Sequence, residues 1–279
     1  MNILIFGNGY LGNRMKHAWP DAMLSEVRID DRVNVARLLE ELKPDAVVNA
    51  AGKTGTPNVD WCETHQEETY RSNVVGALTL AEECRAQNIY LLHLGSGCIF
   101  YGPSPDPNGW TEDDFANPSA FYTRTKYATD LVLSKLSGVG IARLRMPIDW
   151  TPNPRNLIDK LAAYPQVIDV ENSVSVVEDL MSASRALIEK KGEGIFHVVN
   201  EGTMRHKDLI ALYEMYVDPS HTNTWIEDKT LVERGLTTKQ RSNCILQSLR
   251  LAALGIKMRP IQEALEDTMK RYATEKQRV

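Results

Sequence analysis

The sequence has few of the features that mark membrane, secreted and nucleic-acid-binding proteins. Its 279 residues include no apolar run long enough to span a bilayer, and no basic segment precedes an apolar core near Met1. The formal net charge is -5, without the basic domain that usually marks a nucleic-acid partner. We therefore expect a cytoplasmic protein that binds neither membranes nor nucleic acids.

Cysteine is also scarce. The four cysteines, Cys62, Cys84, Cys98 and Cys244, form no CxxC pair and no Cys/His cluster. The sequence therefore predicts reduced thiols, no disulfide scaffold and no metal site. With 43% hydrophobic and 25% charged residues, the composition is that of an ordinary globular enzyme.

The amino-terminal segment combines a buried-strand pattern with a glycine-rich turn. The run NILIF is apolar without alternation, as in a parallel strand covered on both faces. The following GNGYLG has the GxGxxG pattern and leads into helix-compatible residues. Glycines allow a tight turn there, and the helix start offers free N–H groups to a pyrophosphate. We predict that a dinucleotide is bound by this turn, whose residues are Gly7, Asn8, Gly9, Tyr10, Leu11 and Gly12.

The end of the second predicted strand bears on which dinucleotide is bound. An acid at this place holds the ribose hydroxyls of NAD(H), whereas an arginine accommodates the 2′-phosphate of NADP(H). Glu26 favours the first cofactor, and Arg28 with Ser25 favours the second. NADP(H) is the preferred prediction, and NAD(H) is the alternative. Of the two acids that follow, Asp30 and Asp31, we place Asp30 in the cofactor site.

A third strand pattern, PDAVVNAAG, completes a second βαβ unit. Two such units imply an α/β fold of Rossmann type, a doubly wound parallel sheet with ligands at the carboxyl ends of the strands. The residues that follow this strand are therefore expected beside the cofactor: Asn49, Ala50, Ala51 and Gly52. Asn73 lies in a predicted helix, where an asparagine is either solvent-facing or bonded to backbone.

The run LLHLGSGCIF brings a hydroxyl and a thiol to the end of another strand. Because residues two apart on an extended backbone point to one side, Ser96 and Cys98 are expected to face one space. In FYTRTKYATDLVL, Tyr122 and Lys126 are four apart and share one helical face. These features predict a proton-donating site beside a dinucleotide, with Tyr122 and Lys126 also contacting the cofactor. His93 has no evident partner, and we interpret it as a hydrogen-bonded structural residue.

The chain changes character near residue 148, where WTPNPRN is rich in proline. We predict a dinucleotide-binding domain over residues 1–147, to which residues 174–199 return. A smaller substrate-binding lobe is predicted over residues 148–279. Helices are expected in this lobe around residues 206–217, 245–254 and 260–274.

Taken together, GNGYLG, NAAG, Asn73, Ser96 and YTRTK resemble the extended short-chain dehydrogenase/reductase superfamily. A closer resemblance is to the nucleotide-rhamnose synthase/epimerase-reductases of plants and some large viruses. It is carried by the runs GKTGTPNVDWCETHQEETYRSNVVGALTLAEEC, GSGCIF and RMPIDWTPNPRNLIDK. The dTDP-4-dehydrorhamnose reductases are similar at a greater distance.

The resemblance implies conversion of UDP-4-keto-6-deoxyglucose to UDP-rhamnose by a 3,5-epimerisation and an NADPH-dependent reduction of the 4-keto group. It makes Ser96, Tyr122 and Lys126 the reductase triad, and Cys98 and Lys160 the epimerase acid/base pair. We expect a homodimer as the assembly. The candidate contacts of the nucleotide sugar are Thr54, Asn58, Arg155, Asn156, Arg241 and Asn243.

The chemistry of these side chains agrees with the implied roles. Tyr122, with a pKa near 10 when free, can protonate an alkoxide if Lys126 lowers that pKa. A thiol such as Cys98 can move protons when a cation such as Lys160 favours its thiolate. Two alternatives stay open: a reductase alone, with Cys98 and Lys160 incidental, and a dinucleotide-binding regulator without turnover. The nucleotide base, UDP or dTDP, also stays open.

Overall fold

The computed structural model describes residues 1–278, which divide by contacts into two units. Unit 1 consists of Met1–Ile99, Ala116–Arg143 and Ser184–Phe196. Unit 2 consists of Phe100–Phe115, Leu144–Ala183 and the described residues from His197 onward. The predicted boundary at residue 147 grouped residues 100–115 with the first domain, whereas these residues pack within unit 2. The functions of the two parts stay predictions.

The helices and strands follow one another along the whole described chain. The strands are β1 (Ile3–Phe6), β2 (Ala22–Ser25), β3 (Ala46–Asn49), β4 (Tyr90–Ser96), β5 (Val139–Leu144), β6 (Gln166–Ile168), β7 (Glu171–Asn172), β8 (Gly194–His197), β9 (Met204–Arg205) and β10 (Thr224–Ile226). The α-helices are α1 (Tyr10–Ala18), α2 (Arg32–Leu42), α3 (Trp61–Thr64), α4 (Gln66–Tyr70), α5 (Ala77–Ala86), α6 (Phe121–Leu133), α7 (Leu157–Ala163), α8 (Val177–Glu189), α9 (His206–Tyr216), α10 (Asp228–Glu233), α11 (Leu249–Ala253) and α12 (Ile261–Lys276). A π-helical turn covers Arg71–Gly76, and a 3-10 turn covers Gly97–Ile99.

A six-stranded sheet of order β2-β1-β3-β4-β5-β8 forms the centre of the fold. Strands β1 to β4 pair in parallel, with Phe6 opposite Ser25 and Asn49, and Asn49 opposite His93. The prediction of a doubly wound parallel α/β sheet is confirmed. Because these partners end their strands together, the carboxyl ends of β1, β2 and β3 align at one edge, where β4 continues to Ser96.

The core of unit 1 explains why apolar and polar residues do not alternate along β1 and β3. All four residues of β1 and all four of β3 are buried, since helices cover the sheet. Helices α2 and α5 contribute apolar side chains to this core. They include Val35, Leu39, Leu80, Ala81 and Cys84.

Unit 2 has its own core and two small sheets, β10-β6 and β7-β9. Its apolar faces come from α7, α9 and α12, which contact one another. The buried side chains include Ile158, Leu161, Leu209, Ile210, Leu265 and Met269.

The predicted helix over residues 245–254 is wrong in its first half, since α11 begins only at Leu249. The preceding residues instead pair with the loop of unit 2 that contains Trp110. The N–H of Trp110 donates to the carbonyl of Ile245 at 2.8 Å, and the N–H of Gln247 donates to the carbonyl of Trp110 at 2.8 Å. These main-chain groups are therefore used in a bridge between distant segments and not in a helix.

Candidate active site

The glycine-rich turn between β1 and α1 needs its glycines for different reasons. Gly7 has φ +110°, and a Cβ there would lie 2.4 Å from the nitrogen of Ala51. A Cβ on Gly12 would lie 2.0 Å from the carbonyl oxygen of Gly7, so the helix packs directly on the turn. A Cβ on Gly9 would meet nothing within 4 Å. The turn is therefore closed on the protein side and open at Gly9, as a pyrophosphate site requires.

A cavity of about 920 Å³ lies beside this turn in unit 1. This volume falls in the range of small-molecule and cofactor sites. The predicted cofactor residues that line it are Gly7, Asn8, Ser25, Arg28, Asp30 and Ala51. The remaining ones lie in the glycine-rich turn and the start of α1, at and after the end of β3, in the π-helical turn and on α6, namely Gly9, Tyr10, Leu11, Gly12, Asn49, Ala50, Gly52, Asn73, Tyr122 and Lys126.

Two arginines share one carboxylate on the wall of this cavity. Asp30 accepts hydrogen bonds from Nε of Arg28 and from Nε of Arg71, each at 3.0 Å. The pKa of Asp30 is lowered, chiefly by the hydrogen bond from Arg28. The Arg28 side chain is 74% exposed, so its guanidinium remains accessible to a ligand. Arg71 was not predicted from the sequence, because it lies 41 positions after Asp30 and contacts it only in the folded protein.

Asn73 is hydrogen-bonded to backbone groups, which is one of the two predicted alternatives, and is not solvent-facing. It is buried in the π-helical turn, where its Oδ1 accepts from the N–H of Lys53 at 2.7 Å. Its Nδ2 donates to the carbonyl of Lys53 and to Oγ1 of Thr125, both at 3.1 Å. Thr129 donates to the carbonyl of Asn73 at 2.7 Å. Asn73 thus connects the loop after β3 to helix α6.

Helix α6 presents Tyr122 and Lys126 one turn apart, as predicted. The N–H of Phe121 at its start donates to Oε1 of Glu63 at 2.7 Å. Ser96 is the last residue of β4, and its hydroxyl lies close enough to Tyr122 to favour a lower pKa of the phenol. The strand end and the helix therefore bring the predicted triad of Ser96, Tyr122 and Lys126 into one part of unit 1.

Cys98 lies beside Ser96, as predicted, but not because both residues belong to one strand. The strand ends at Ser96, and Cys98 lies in the 3-10 turn, so the rule for residues two apart on a strand does not apply. The turn brings the N–H of Cys98 to 3.2 Å from Oγ of Ser96, which accepts a hydrogen bond. The thiol lies near enough to Tyr122 for a charge on Cys98 to raise the pKa of Tyr122.

The prediction that Lys126 lowers the pKa of Tyr122 is wrong for this state of the protein. Burial raises that pKa, Cys98 adds to the increase, and the hydroxyl of Ser96 opposes it. Lys126 is itself buried, which lowers its own pKa to about 8 against the opposing effect of Asp130. Its Nζ is directed instead to the carbonyl of Leu94, at 2.8 Å.

His93 is hydrogen-bonded, as predicted, but its partners were not foreseen from the sequence. The ring is fully buried, with Nδ1 3.0 Å from Nδ2 of Asn49 and Nε2 2.9 Å from Nζ of Lys126. One of these partners, Lys126, is a member of the predicted triad. Burial, together with Lys126, holds its pKa well below the usual value. The register that sets Asn49 opposite His93 is the signal that could have placed it here.

The loop after β3 holds two of the predicted sugar contacts, Thr54 and Asn58. Thr54 is half-buried, and Oδ1 of Asn58 accepts from the N–H of Asp60 at 2.8 Å within a turn. In the same loop region, His65 stacks on Trp61 with ring centroids 3.8 Å apart.

Of the candidates in unit 2, Asn156 has a structural use for its whole amide. It is fully buried and caps α7 by accepting from the N–H of Ile158. It also accepts from the N–H of Asp149 and donates to two carbonyls, those of Asp149 and Thr151. These bonds close the turn before α7, so the sequence-based assignment of Asn156 to the substrate is replaced by a capping role.

The other unit 2 candidates lie on or near the surface of that unit. Lys160 is half-buried in the middle of α7, and Arg155 is exposed just before the helix. Arg241 and Asn243 are half-buried, with Oδ1 of Asn243 accepting from Asn172 at 3.3 Å.

Two classes of feature are missing from residues 1–278. No helix there is both long and apolar enough to cross a bilayer. No cluster of three or more His, Cys, Asp or Glu side chains in this part of the chain could hold a metal ion.

The parallel sheet, the glycine-rich turn and the Ser-Tyr-Lys site define an oxidoreductase of the extended short-chain dehydrogenase/reductase type. More closely, the chain belongs to the family described as RmlD substrate binding domain, whose model matches residues 1–274. The protein is therefore an enzyme.

Similar proteins support this membership. One is the bifunctional dTDP-4-dehydrorhamnose 3,5-epimerase/dTDP-4-dehydrorhamnose reductase of Arabidopsis thaliana, 36% identical over 277 residues, or 95% of this chain and 91% of that protein. The crystal structure of the UDP-rhamnose synthase of Acanthamoeba polyphaga mimivirus has a TM-score of 0.90 and 29% identity, covering 97% of this chain and 99% of that one. A dTDP-4-dehydrorhamnose reductase from Bacillus anthracis, solved with NADP, shares the fold with a TM-score of 0.82 and 21% identity, covering 99% and 100%.

Proposed function

We propose that this enzyme converts a nucleotide-linked 4-keto-6-deoxyglucose, with UDP as the preferred nucleotide, to the nucleotide-linked L-rhamnose. The reaction combines a 3,5-epimerisation with an NADPH-dependent reduction of the 4-keto group. The observation that carries the proposal is the grouping of Ser96, Tyr122 and Lys126 with the thiol of Cys98 in unit 1. Relatives named as a bifunctional epimerase/reductase and as a UDP-rhamnose synthase support it.

The cofactor would be held by groups of the cavity in unit 1. The open side of Gly9 and the N–H groups at the start of α1 suit its pyrophosphate. The guanidinium groups of Arg28 and Arg71 share a single carboxylate, Asp30, so these three side chains together offer a 2′-phosphate two guanidinium donors and one excess positive charge. These features favour NADP(H) over NAD(H), although Glu26, Glu67 and Glu68 also line the cavity.

In the reduction, bound NADPH supplies a hydride to the keto carbon. The hydroxyl of Ser96 is placed to hold the keto oxygen while charge develops on it. Tyr122 donates the proton that turns the resulting alkoxide into a hydroxyl. Its raised pKa keeps the phenol protonated until a base as strong as an alkoxide forms beside it.

The epimerisation needs groups that exchange protons at the carbons flanking the ketone. A base removes the proton from one face of carbon 3 or 5, and an acid returns a proton to the other face. Cys98 lies two residues beyond Ser96, which would hold the keto oxygen, so the thiol is the candidate within unit 1. Lys160 is the proposed second member of the pair. Both assignments follow from the resemblance that the sequence shows to epimerase-reductases.

The variant Cys98→Ala tests the epimerase part. With UDP- or dTDP-4-keto-6-deoxyglucose in D₂O, we expect the variant to stop deuterium entry at carbons 3 and 5. It should still reduce a substrate that has already been epimerised. Cys84→Ala is the matched control, because Cys84 is buried in the core cluster of α5. Undiminished exchange in Cys98→Ala would leave a reductase without this epimerase centre.

The same assay tests the proposal as a whole. Consumption of NADPH with any of these substrates excludes a regulator without turnover. Comparing the rates with the UDP-linked and dTDP-linked substrates identifies the preferred nucleotide base. The expected homodimer is a further part of the proposal. Exposed apolar side chains on α6, Leu131 and Val132, offer surface for a second copy, and sedimentation equilibrium would measure the mass.

A further inference from the structure

We propose that His93 is a positioning residue that favours the neutral amine form of Lys126 over the ammonium in the protein without cofactor. The assignment itself concerns hydrogen bonds within unit 1. Its catalytic meaning rests on the proposed reductase function, in which Lys126 assists Tyr122.

The proton positions follow from a chain of hydrogen bonds that begins at the main chain. The N–H of Ala51 donates to Oδ1 of Asn49 at 3.1 Å, which fixes the orientation of that amide. The NH₂ group of Asn49 therefore faces Nδ1 of His93 at 3.0 Å. An amide NH₂ group can only donate, so Nδ1 is an acceptor and carries no proton. The single proton of the neutral ring is on Nε2.

The protonated Nε2 of His93 lies 2.9 Å from Nζ of Lys126. An ammonium has three donors and no acceptor. At this contact, an N–H of the ammonium would face the N–H of His93 Nε2, and no hydrogen bond could form. A neutral amine accepts from His93 and donates to the carbonyl of Leu94, 2.8 Å away. The neutral form is therefore the one that satisfies every hydrogen bond in the chain from Ala51 to Leu94.

The charged groups around Lys126 leave this preference in place. Asp130, one turn further along α6, favours the ammonium. Its Oδ2 is paired with Nε of Arg143 on β5 at 2.7 Å, and both side chains are buried. Its Oδ1 makes no hydrogen bond within the described residues, either to Lys126 or to another group. Tyr122 on the same helix is neutral because burial raises its pKa. From β4 the facing group is His93, whose depressed pKa keeps the ring neutral.

The consequence for the proposed reduction is a dependence on proton uptake. An ammonium near Tyr122 favours release of the phenolic proton, whereas a neutral amine does not. At a pH above its own midpoint, Lys126 must therefore gain a proton from solvent before it can assist Tyr122. His93 sets the pH below which this occurs, because its Nε2–H stabilises the amine and not the ammonium.

The first test uses nuclear magnetic resonance on the whole protein without cofactor. The ¹³Cε signal of Lys126, identified by its loss in Lys126→Met, should titrate with a midpoint at or below about 8, the value that burial imposes on its pKa. Nitrogen shifts of His93 should show an unprotonated Nδ1 and a protonated Nε2. A lysine that titrates near 10.5, its usual value, or a proton on Nδ1 would overturn the assignment.

The second test varies the ring. His93→Leu removes the donor and should raise the Lys126 midpoint by about one pH unit, the scale of one hydrogen bond. His93→Gln retains an acceptor and a donor and should keep the midpoint near that of the unmodified protein. His206→Leu, which removes a buried histidine of unit 2, should leave it unchanged.

These outcomes separate the two proposals. An unchanged midpoint in His93→Leu shows that His93 only packs, and overturns the inference whether or not the enzyme reduces a sugar. If His93→Leu does not fold, the titration and ring nitrogens of the unmodified protein decide. Absence of turnover with every 4-keto sugar nucleotide would instead reject the proposed function and leave the resonance result intact.

Discussion

At the scale of the residue, Tyr122 shows how much depends on the surroundings of one hydroxyl. The spacing to Lys126 was evident in the sequence, but the direction of the pKa shift was not. That direction depends on burial and on the contacts with Ser96 and Cys98, which are formed only in the fold.

Replacement of Tyr122 by phenylalanine should reduce NADPH-dependent reduction by about a hundredfold to ten-thousandfold, because the general acid is lost. Cofactor affinity should stay within about twofold, since the aromatic ring remains. Steady-state rates and a fluorescence titration with NADPH would measure the two effects. Tyr127→Phe, on the same helix, is the control and should retain full activity. A variant Tyr122→Phe with normal turnover would show that another group protonates the alkoxide.

Arg28 carries a prediction about cofactor choice. Arg28→Glu should weaken NADPH binding by about 10- to 100-fold, the scale of a charge-assisted hydrogen bond, while NADH binding stays nearly constant. The ratio of the two dissociation constants is the quantity to measure. Arg37→Glu on α2 makes the same charge change outside the lining of the cavity. Equal affinity of the unmodified protein for both cofactors would refute this role.

At the scale of the element, the turn from β1 to α1 separates two functions of glycine. Gly12→Ala places a methyl group against the carbonyl of Gly7 and should cost about 1–3 kcal/mol of stability. Gly9→Ala meets open space, so its stability should hardly change while NADPH affinity falls about tenfold or more. Urea denaturation and cofactor titration of both variants would check the pair. Loss of stability in Gly9→Ala would contradict this division.

Elements defined by local patterns were predictable from the sequence. Apolar runs gave the strands of the parallel sheet, and the four-residue spacing placed Tyr122 and Lys126 on one helical face. The 3-10 turn at Cys98 and the extended residues before α11 were not predictable, because their hydrogen bonds depend on the folded chain. His93 meets Lys126 only because strand register sets it beside Asn49.

At the scale of the whole molecule, Lys126 makes folding stability depend on pH. Its pKa is lowered to about 8 in the folded protein from a usual value of 10.5, so the unfolded chain binds more protons between these values. Stability should therefore rise with pH across this window, by at most about 1.4 kcal/mol per pH unit. Lys126→Met should lack this contribution. Urea denaturation of both proteins at several pH values measures the difference, and equal slopes would contradict the shift.

The division of the chain also limits how it can be shortened. Strand β8 and the end of α8 belong to unit 1, although they follow a long stretch of unit 2. A fragment that stops at residue 147 would lack β8 and leave β5 as an uncovered sheet edge. Such an edge pairs readily with other chains. Unit 1 cannot be expressed as one continuous amino-terminal piece without exposing a surface prone to aggregation.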